Sequence, residues 1–151
     1  MEIERKFLIK EIPKKLEQYT KREISQAYIS IDPTIRIRKS DTSYILTVKG
    51  SGAVFREEFE LNISETQYNT LVLKAETPFV NKTRYTIPIR NDLNADLDIY
   101  HLQLEGLYTV EVEFSTISES NSFIPPKWFG KDISNDNRYK NSFLSIHGIP
   151  N

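Results

Sequence analysis

Pairs of like charges separated by one residue are the feature that most constrains how this chain folds. Each pair lies in a segment where polar and apolar residues alternate, which is the pattern of a β-strand with one apolar face. Two like charges on one face of a strand repel each other, so they need water, counter-ions or a ligand nearby. The pairs are Glu2/Glu4, Arg36/Arg38, Glu58/Glu60, Lys82/Arg84, Asp96/Asp98 and Glu111/Glu113.

The spacing of these segments predicts an antiparallel β-protein. Turn residues separate consecutive strands at Asp32-Pro33 and at Gly50-Ser51-Gly52. One longer helix interrupts the strands from Glu65 to about Lys74, and Ser64 with Gln67 fits a capping box at its start. This order indicates an α+β, mainly β fold that is an antiparallel barrel or a strongly curved sheet. Shorter helical segments are predicted at residues 13–19 and 118–123 and from Asp136 through Leu144.

The length and charge of the chain bound its organisation and its partners. At 151 residues, with no linker-like run, the chain is expected to form one domain over residues 1–151. Its 20 basic and 21 acidic side chains nearly cancel, so the overall field attracts neither nucleic acid nor an anionic membrane. No apolar stretch approaches the roughly 18 residues of a membrane span. We therefore expect a cytoplasmic monomer or homodimer that binds anions only through local clusters of Lys and Arg.

The residue types that are missing exclude several kinds of chemistry. The sequence has no cysteine, which excludes disulfides, thiolate zinc sites and cysteine nucleophiles. Its two histidines, His101 and His147, are far apart in sequence, which argues against a histidine zinc site or a Ser-His-Asp triad. A metal would therefore be bound by oxygen, which suits Mg²⁺, Mn²⁺ or Ca²⁺.

The charge pattern alone leaves two orientations of the strands open. In the first, apolar faces fill the interior and the charges are solvated at the surface, as is usual. In the second, the charges line the interior, which requires water or a ligand there. The segregation of acidic from basic strands supports the second orientation without deciding it, because carboxylates suit a cation and Arg and Lys suit phosphate oxygens.

A family resemblance distinguishes the two orientations. The first strand, Glu2-x-Glu4-x-Lys6, resembles the ExExK signature of the CYTH superfamily, also called the triphosphate tunnel metalloenzymes. The rest of the family pattern follows in order along nearly the whole chain. It comprises Gln26-Ala27-Tyr28, Arg36-Ile37-Arg38, Thr47-Val48-Lys49, Arg56-Glu57-Glu58-Phe59-Glu60, Lys82-Thr83-Arg84-Tyr85, Asp96-Leu97-Asp98, Glu111-Val112-Glu113-Phe114, Pro125-Pro126-Lys127-Trp128-Phe129-Gly130 and Arg138-Tyr139-Lys140-Asn141.

For the fold, the resemblance implies a closed eight-stranded antiparallel tunnel barrel with a charged interior and helices packed outside. For the site, it implies that carboxylates bind Mg²⁺ or Mn²⁺ and that Lys and Arg bind phosphate. Asp98 and Glu58 are expected either to take a second metal or to anchor the basic side chains. The implied metal ligands are Glu2, Glu4, Glu111 and Glu113, and the implied phosphate-binding residues are Lys6, Arg36, Arg38, Arg56, Lys82 and Arg84.

Two further residues, Tyr28 and Lys49, are similar to a pair proposed to activate water in short bacterial members of the family. Neighbouring cations in a secluded tunnel disfavour the charged form of a lysine, which would let Lys49 act as a base. The alternatives are that Lys49 is another phosphate-binding cation and that Tyr28 is a hydrogen-bond donor in the cavity wall.

The substrate expected from the resemblance is inorganic tripolyphosphate, hydrolysed to pyrophosphate and phosphate. The short chain, the Lys82-Thr83-Arg84-Tyr85 block and the Trp128-Phe129-Gly130 tail are most similar to small bacterial inorganic triphosphatases. Class IV adenylate cyclases and thiamine or nucleoside triphosphatases resemble the same scaffold and are the alternative enzymes. A non-catalytic module that binds polyphosphate without a metal is the alternative of another class.

Overall fold

The computed structural model describes residues 2–51, 57–90 and 92–151. Within these ranges the alternating segments form nine β-strands, and three short α-helices accompany them. The strands are β1 (Glu4–Ile9), β2 (Thr20–Ser30), β3 (Thr34–Ser40), β4 (Ser43–Lys49), β5 (Glu58–Asn62), β6 (Val80–Arg90), β7 (Leu93–Tyr100), β8 (Tyr108–Glu113) and β9 (Phe129–Asp132). The helices are α1 (Glu65–Val72), α2 (Ile117–Ser122) and α3 (Asn141–His147).

All nine strands belong to one antiparallel sheet, in the order β5-β4-β3-β2-β6-β7-β8-β1-β9. The mainly antiparallel prediction is confirmed, but the closed barrel of eight strands is corrected in two respects. Among the described residues, β5 and β9 are edges that do not pair with each other, so the sheet is open. The ninth strand, β9, begins at Phe129, inside the Pro125–Gly130 segment of the family pattern. Gly130 allows β9 to approach β1, because a β-carbon there would lie 3.1 Å from the carbonyl oxygen of Leu8.

The sheet curves strongly although it does not close. Glu2, just before β1, contacts Lys49 at the end of β4, and five strands lie between β1 and β4 in the sheet order. Because adjacent strands are about 4.8 Å apart, a flat sheet would separate these residues by roughly 29 Å. The sheet therefore bends around the surface that we call the charged face. Its residues include Glu4, Lys6, Arg36, Arg38, Lys82, Arg84, Asp98 and Glu111.

Two of the three helices cover the apolar face, as predicted. Tyr68 of α1 packs with Ala27 of β2 and Ile37 of β3. Phe123, the residue after α2, packs with Phe7 of β1, and their ring centroids are 6.1 Å apart. The helices thus cover apolar residues of β1, β2 and β3, whereas Phe59 and Leu61 of the edge strand β5 stay exposed. The opposite, charged face lines the concave side of the sheet.

The third helix departs from the prediction that the helices lie outside. Leu144 of α3 packs with Val80 of β6 and Tyr100 of β7. Val80 and Tyr100 alternate with the residues of the apolar face, so both belong to the same side of the sheet as Lys82 and Asp98. One end of the concave side is therefore apolar, and α3 covers it.

The start of the longer helix follows its sequence signal closely. The capping box is confirmed, because Ser64 N donates to Gln67 Oε1 at 2.8 Å and Gln67 N donates to Ser64 Oγ at 3.1 Å. These two bonds satisfy backbone and side-chain groups that a helix N-terminus otherwise leaves unpaired. No helix in the described ranges combines the length and the apolar character that crossing a bilayer requires.

The other helical predictions were less accurate at their boundaries. Residues 13–19 form only a short 3₁₀ turn, Leu16–Gln18. Asp136 caps a separate 3₁₀ turn, Asn137–Tyr139, and α3 begins only after it, at Asn141. The predicted final helix is therefore two elements. The break between them places polar groups of this segment next to the charged face.

Candidate active site

The register of the strands brings the like-charge pairs together on the charged face. Between β1 and β8, Glu4 lies opposite Glu113 and Lys6 lies opposite Glu111. Between β7 and β8, Asp96 lies opposite Glu111. Carboxylates from different strands thus become neighbours across the sheet. We call this region, which contains Glu4, Asp96, Glu111 and Glu113, the acidic part of the charged face.

Repulsion among carboxylates dominates this acidic part. Removal of water by the surrounding protein, followed by repulsion from Glu111 and Glu2, raises the pKa of Glu4 to about 9. Solvent still reaches Glu4, so we regard the neighbouring carboxylates as the more specific cause. Burial also opposes ionisation of Glu111, but Lys6 and Arg84 outweigh it and lower the pKa of Glu111 to about 2. A positive charge placed near Glu4 would oppose this shift and favour the ionised carboxylate.

A second repulsion among carboxylates acts between strands that are not neighbours in the sheet. Partial desolvation, then repulsion from Glu2 and Glu58, raises the pKa of Glu113. Glu58 lies on the edge strand β5, whereas Glu113 lies on β8. Glu58 thus acts on Glu113 electrostatically from the other edge of the sheet. The two roles predicted for Glu58, a second metal ligand and an anchor of basic side chains, both stay predictions.

The acidic part fits a divalent cation in its chemistry, although its side chains are not drawn together around one point. Among the described residues, no group of three or more His, Asp or Glu side chains is arranged at ligand distance from a common centre. The donors are nevertheless all carboxylates, which Mg²⁺ and Mn²⁺ prefer. A cation bound there would offset the repulsion among these carboxylates.

The basic part of the charged face contains Arg36, Arg38, Lys82 and Arg84, and here positive charges repel one another. Burial, then repulsion from Arg36 and Arg84, lowers the pKa of Arg38 to about 9. Arg36 donates from Nη2 to Thr47 Oγ1 at 3.1 Å, but its Nε is buried and has no hydrogen-bond partner among the described residues. Three guanidinium groups that repel one another, one with an unsatisfied buried donor, form a surface that an anion would stabilise.

Asp98 lies at the centre of the basic part and is fully buried. Its Oδ1 accepts from Arg84 Nε at 2.7 Å and its Oδ2 accepts from Arg84 Nη2 at 2.9 Å, and Lys82 Nζ lies 2.8 Å from the same Oδ2. Burial alone would raise the pKa of Asp98, but Arg84 and Lys82 outweigh it and hold that pKa well below its usual range. Of the two roles predicted for Asp98, these contacts favour the anchoring of basic side chains over a second metal.

The C-terminal segment supplies acceptors that the sequence did not reveal. Lys6 Nζ donates to the carbonyl oxygen of Tyr139 at 2.7 Å and lies 3.6 Å from Glu111. Lys82 Nζ donates to Asn141 Oδ1 at 3.1 Å, and so does the Tyr100 hydroxyl. The motif that contains Tyr139 and Asn141 was part of the family pattern, but no local periodicity indicates which strands a C-terminal helix will contact.

The two predicted catalytic residues lie on the charged face but have different partners. Lys49 Nζ lies 3.0 Å from Glu2 Oε1 and 3.2 Å from Oε2. The Tyr28 hydroxyl accepts from Gln26 Nε2 at 3.2 Å. Among the described residues, no hydrogen bond joins Tyr28 to Lys49. Arg56, the remaining predicted phosphate-binding residue, lies outside the described residues.

Comparisons with known proteins extend over almost the whole chain. The CYTH domain matches residues 1–132. An inorganic triphosphatase of Nitrosomonas europaea is 36% identical over 149 residues, which cover 96% of this chain and 97% of that protein. An inorganic triphosphatase of Acetivibrio thermocellus is 30% identical over 146 residues, which cover 95% of this chain and 92% of that protein.

A solved structure agrees with these sequence matches. The crystal structure of an inorganic triphosphatase has a TM-score of 0.73 to this chain at 34% identity, and the alignment covers 100% of this chain and 97% of the other. The family pattern, the curved antiparallel sheet and the charged face are thus found together in one chain. The protein belongs to the CYTH domain family.

Proposed function

We propose that this protein is a metal-dependent hydrolase that converts inorganic tripolyphosphate to pyrophosphate and phosphate on its charged face. One observation carries the proposal: the strand register gathers carboxylates in one part of that face and guanidinium groups in another, so that like charges repel within each part. Partial desolvation and neighbouring carboxylates raise the pKa of Glu4 to about 9, and burial and neighbouring guanidinium groups lower the pKa of Arg38 to about 9. A cation relieves the first repulsion and a polyanion the second, so a metal–triphosphate complex relieves both. The name of the relatives, inorganic triphosphatase, supports the same chemistry.

The metal would be held by the acidic part. We assign Glu2, Glu4, Glu111 and Glu113 as its ligands, with Glu58 beside them. A bound Mg²⁺ or Mn²⁺ supplies positive charge that offsets charge on the phosphate oxygens. The protein contributes the carboxylates, and the deprotonation of Glu4 accompanies their use as ligands.

The triphosphate would be held by the basic part. Arg36 and Arg38 present guanidinium groups that suit two phosphate oxygens at once. Arg84 and Lys82 are fixed by Asp98, so these cations keep their positions without the substrate. Lys6 is fixed in the same way by Tyr139 and Glu111. Cations that are already in place cost less reorganisation when charge develops in the reaction.

Hydrolysis proceeds by attack of a water oxygen on the terminal phosphorus while the bond from that phosphorus to the bridging oxygen breaks. Pyrophosphate leaves with the bridging oxygen, and a proton of the water passes to solvent. The surrounding Arg and Lys side chains stabilise the charge on the transferred group and on the leaving oxygen. We assign Lys49 to this set of cations, because its ammonium group is paired with the Glu2 carboxylate.

A phosphate-release assay tests the proposal. Purified protein is offered tripolyphosphate, ATP and thiamine triphosphate, each with Mg²⁺, with Mn²⁺ and with EDTA. We expect release from tripolyphosphate that requires a metal and exceeds release from the other two compounds. Preferential turnover of ATP or thiamine triphosphate would replace the proposed substrate. Metal-independent binding without any turnover would indicate a polyphosphate-binding module instead.

A further inference from the structure

Gln26 of β2 lies between the Arg38 guanidinium and the Tyr28 hydroxyl. Its side chain is fully buried. Gln26 Oε1 accepts from Arg38 Nε at 2.8 Å, and Gln26 Nε2 donates to Tyr28 Oη at 3.2 Å. One buried amide therefore contacts two residues that face the same concave space, one on its own strand and one on the neighbouring strand β3.

The direction of these hydrogen bonds follows from the chemistry of the three groups. A guanidinium Nε can only donate, so the amide atom that faces Arg38 must be the oxygen. The amide nitrogen must then face Tyr28, and the tyrosine oxygen must accept. The hydroxyl hydrogen of Tyr28 is consequently not used within this chain of bonds, which runs from Arg38 through Gln26 to Tyr28.

The donors that remain are directed away from Gln26. Among the described residues, the Tyr28 hydroxyl and the two terminal amino groups of Arg38 donate to no other residue. Tyr28 is only 5% exposed and lies opposite Arg36 on the charged face, so a hydrogen that Gln26 does not use is available to a group bound in the concave space. Repulsion from Arg36 and Arg84 would otherwise favour movement of Arg38 away from them, and the Gln26 carbonyl opposes that movement.

We propose that Gln26 is a positioning residue that makes Tyr28 a hydrogen-bond donor to the substrate and turns the terminal amino groups of Arg38 toward it. The ligand in this inference, a triphosphate, rests on the proposed function. A substrate oxygen accepts from Tyr28, and Tyr28 in turn accepts from Gln26. In this arrangement Tyr28 donates to phosphate and does not take a proton from water.

The variant Gln26→Glu reverses the direction of the hydrogen bond with Tyr28 and keeps the hydrogen bond from Arg38. A carboxylate still accepts from Arg38, but it also accepts from Tyr28, so the tyrosine hydrogen is captured by the protein. Tyr28→Phe is therefore measured in both backgrounds as a double-mutant cycle. In the natural background we expect Tyr28→Phe to lower kcat/KM for tripolyphosphate roughly 10- to 100-fold, as for loss of a hydrogen bond to a charged group. In the Gln26→Glu background we expect a further loss of less than about 2-fold.

Equal losses in the two backgrounds would overturn the inference, because a merely structural Gln26 would leave the contribution of Tyr28 intact. Gln103→Glu, at an exposed position, controls for the added negative charge and should leave the Tyr28→Phe loss unchanged. If the melting temperature of Gln26→Glu is well below that of wild type, Gln26→Met replaces it in the cycle. We then expect the Tyr28→Phe loss to fall to less than half of its natural value, and an undiminished loss contradicts the inference.

The same cycle is measured on tripolyphosphate binding by isothermal titration calorimetry. Wild-type protein that binds tripolyphosphate without hydrolysing it would contradict the proposed function alone, and the cycle on affinity would still test Gln26. Non-additive losses of affinity support the positioning role. Additive losses, or wild-type protein that does not bind tripolyphosphate, overturn it.

Discussion

Lys49 Nζ lies within 3.2 Å of both carboxylate oxygens of Glu2, and this ion pair spans the concave side of the sheet. The pair connects a predicted catalytic residue to a predicted metal ligand. Its side chains are 11% and 18% exposed, so water screens it only in part. The contact presents Lys49 as a cation among acidic groups, which differs from the cationic surroundings that a base role requires.

Replacement of Lys49 distinguishes a cation from a base. Arginine keeps the positive charge but does not lose its proton at neutral pH. We expect Lys49→Arg to keep kcat within about 10-fold of wild type, whereas Lys49→Met should lose roughly 100-fold or more, as when one charge-stabilising donor is removed. Steady-state phosphate release measures both. If Lys49→Arg is as inactive as Lys49→Met, Lys49 acts as the base.

Replacement of Asp98 tests its role as an anchor. Asp98→Asn leaves Arg84 and Lys82 buried without their counter-charge, and we expect the free energy of unfolding to fall by about 3–5 kcal/mol. Equilibrium unfolding in urea measures this loss. Arg138→Gln, which removes an exposed partner of Asp136, is the control and should leave the free energy of unfolding nearly unchanged, because water screens an exposed pair. If both variants lose the same small amount of unfolding free energy, the buried pairs of Asp98 with Arg84 and Lys82 do not stabilise the fold.

The stability of the metal-free protein should depend on pH through Glu4. Its pKa is about 9 in the folded chain against 4.5 ordinarily, so the folded state holds the extra proton between these values. The contribution of Glu4 to the free energy of unfolding is therefore fully present below pH 4.5 and is lost as pH rises toward 9. The pKa of Glu111 is lowered to about 2, so its contribution is lost only as pH falls from about 4.5 toward 2.

Thermal melting in EDTA at several pH values checks the contribution of Glu4. We expect the melting temperature of wild type to fall more steeply between pH 6 and pH 9 than that of Glu4→Gln, because the variant lacks the titrating group. Added Mg²⁺ should recover part of the wild-type loss and little in the variant. Parallel curves for the two proteins would contradict the assignment of the raised pKa to Glu4.

The sequence predicted the strands and the charged face well because alternation and like-charge pairs are local signals. The capping box of Ser64 and Gln67 is local as well, and it is confirmed. The ninth strand and the open edge depend on pairing between distant segments, such as Gly130 against Leu8. Periodicity within a segment does not encode that pairing, so the closed eight-stranded barrel was an expectation of the family alone.

The candidate site was predicted as a list of residues but not as a set of contacts. Glu4, Lys6, Arg38 and Glu111 do lie on one face, but their effects on one another's pKa values depend on the strand register, which the sequence does not show. Gln26 shares a face with Tyr28 two residues away, so alternation alone places them together. The contact of Asn141 with Lys82 joins a helix to a strand far away in sequence. The single domain, the cytoplasmic location and the monomeric or dimeric state stay predictions.

The central claim is that a metal and a triphosphate meet on the charged face, and Glu4→Gln tests it most directly. Phosphate release from tripolyphosphate is measured for wild type and variant across a titration of Mg²⁺ or Mn²⁺, with melting curves to verify that both are folded. We expect wild-type activity to rise with metal and saturate, and the folded variant to lose metal-dependent release. A folded variant with unchanged, metal-dependent release would contradict the account.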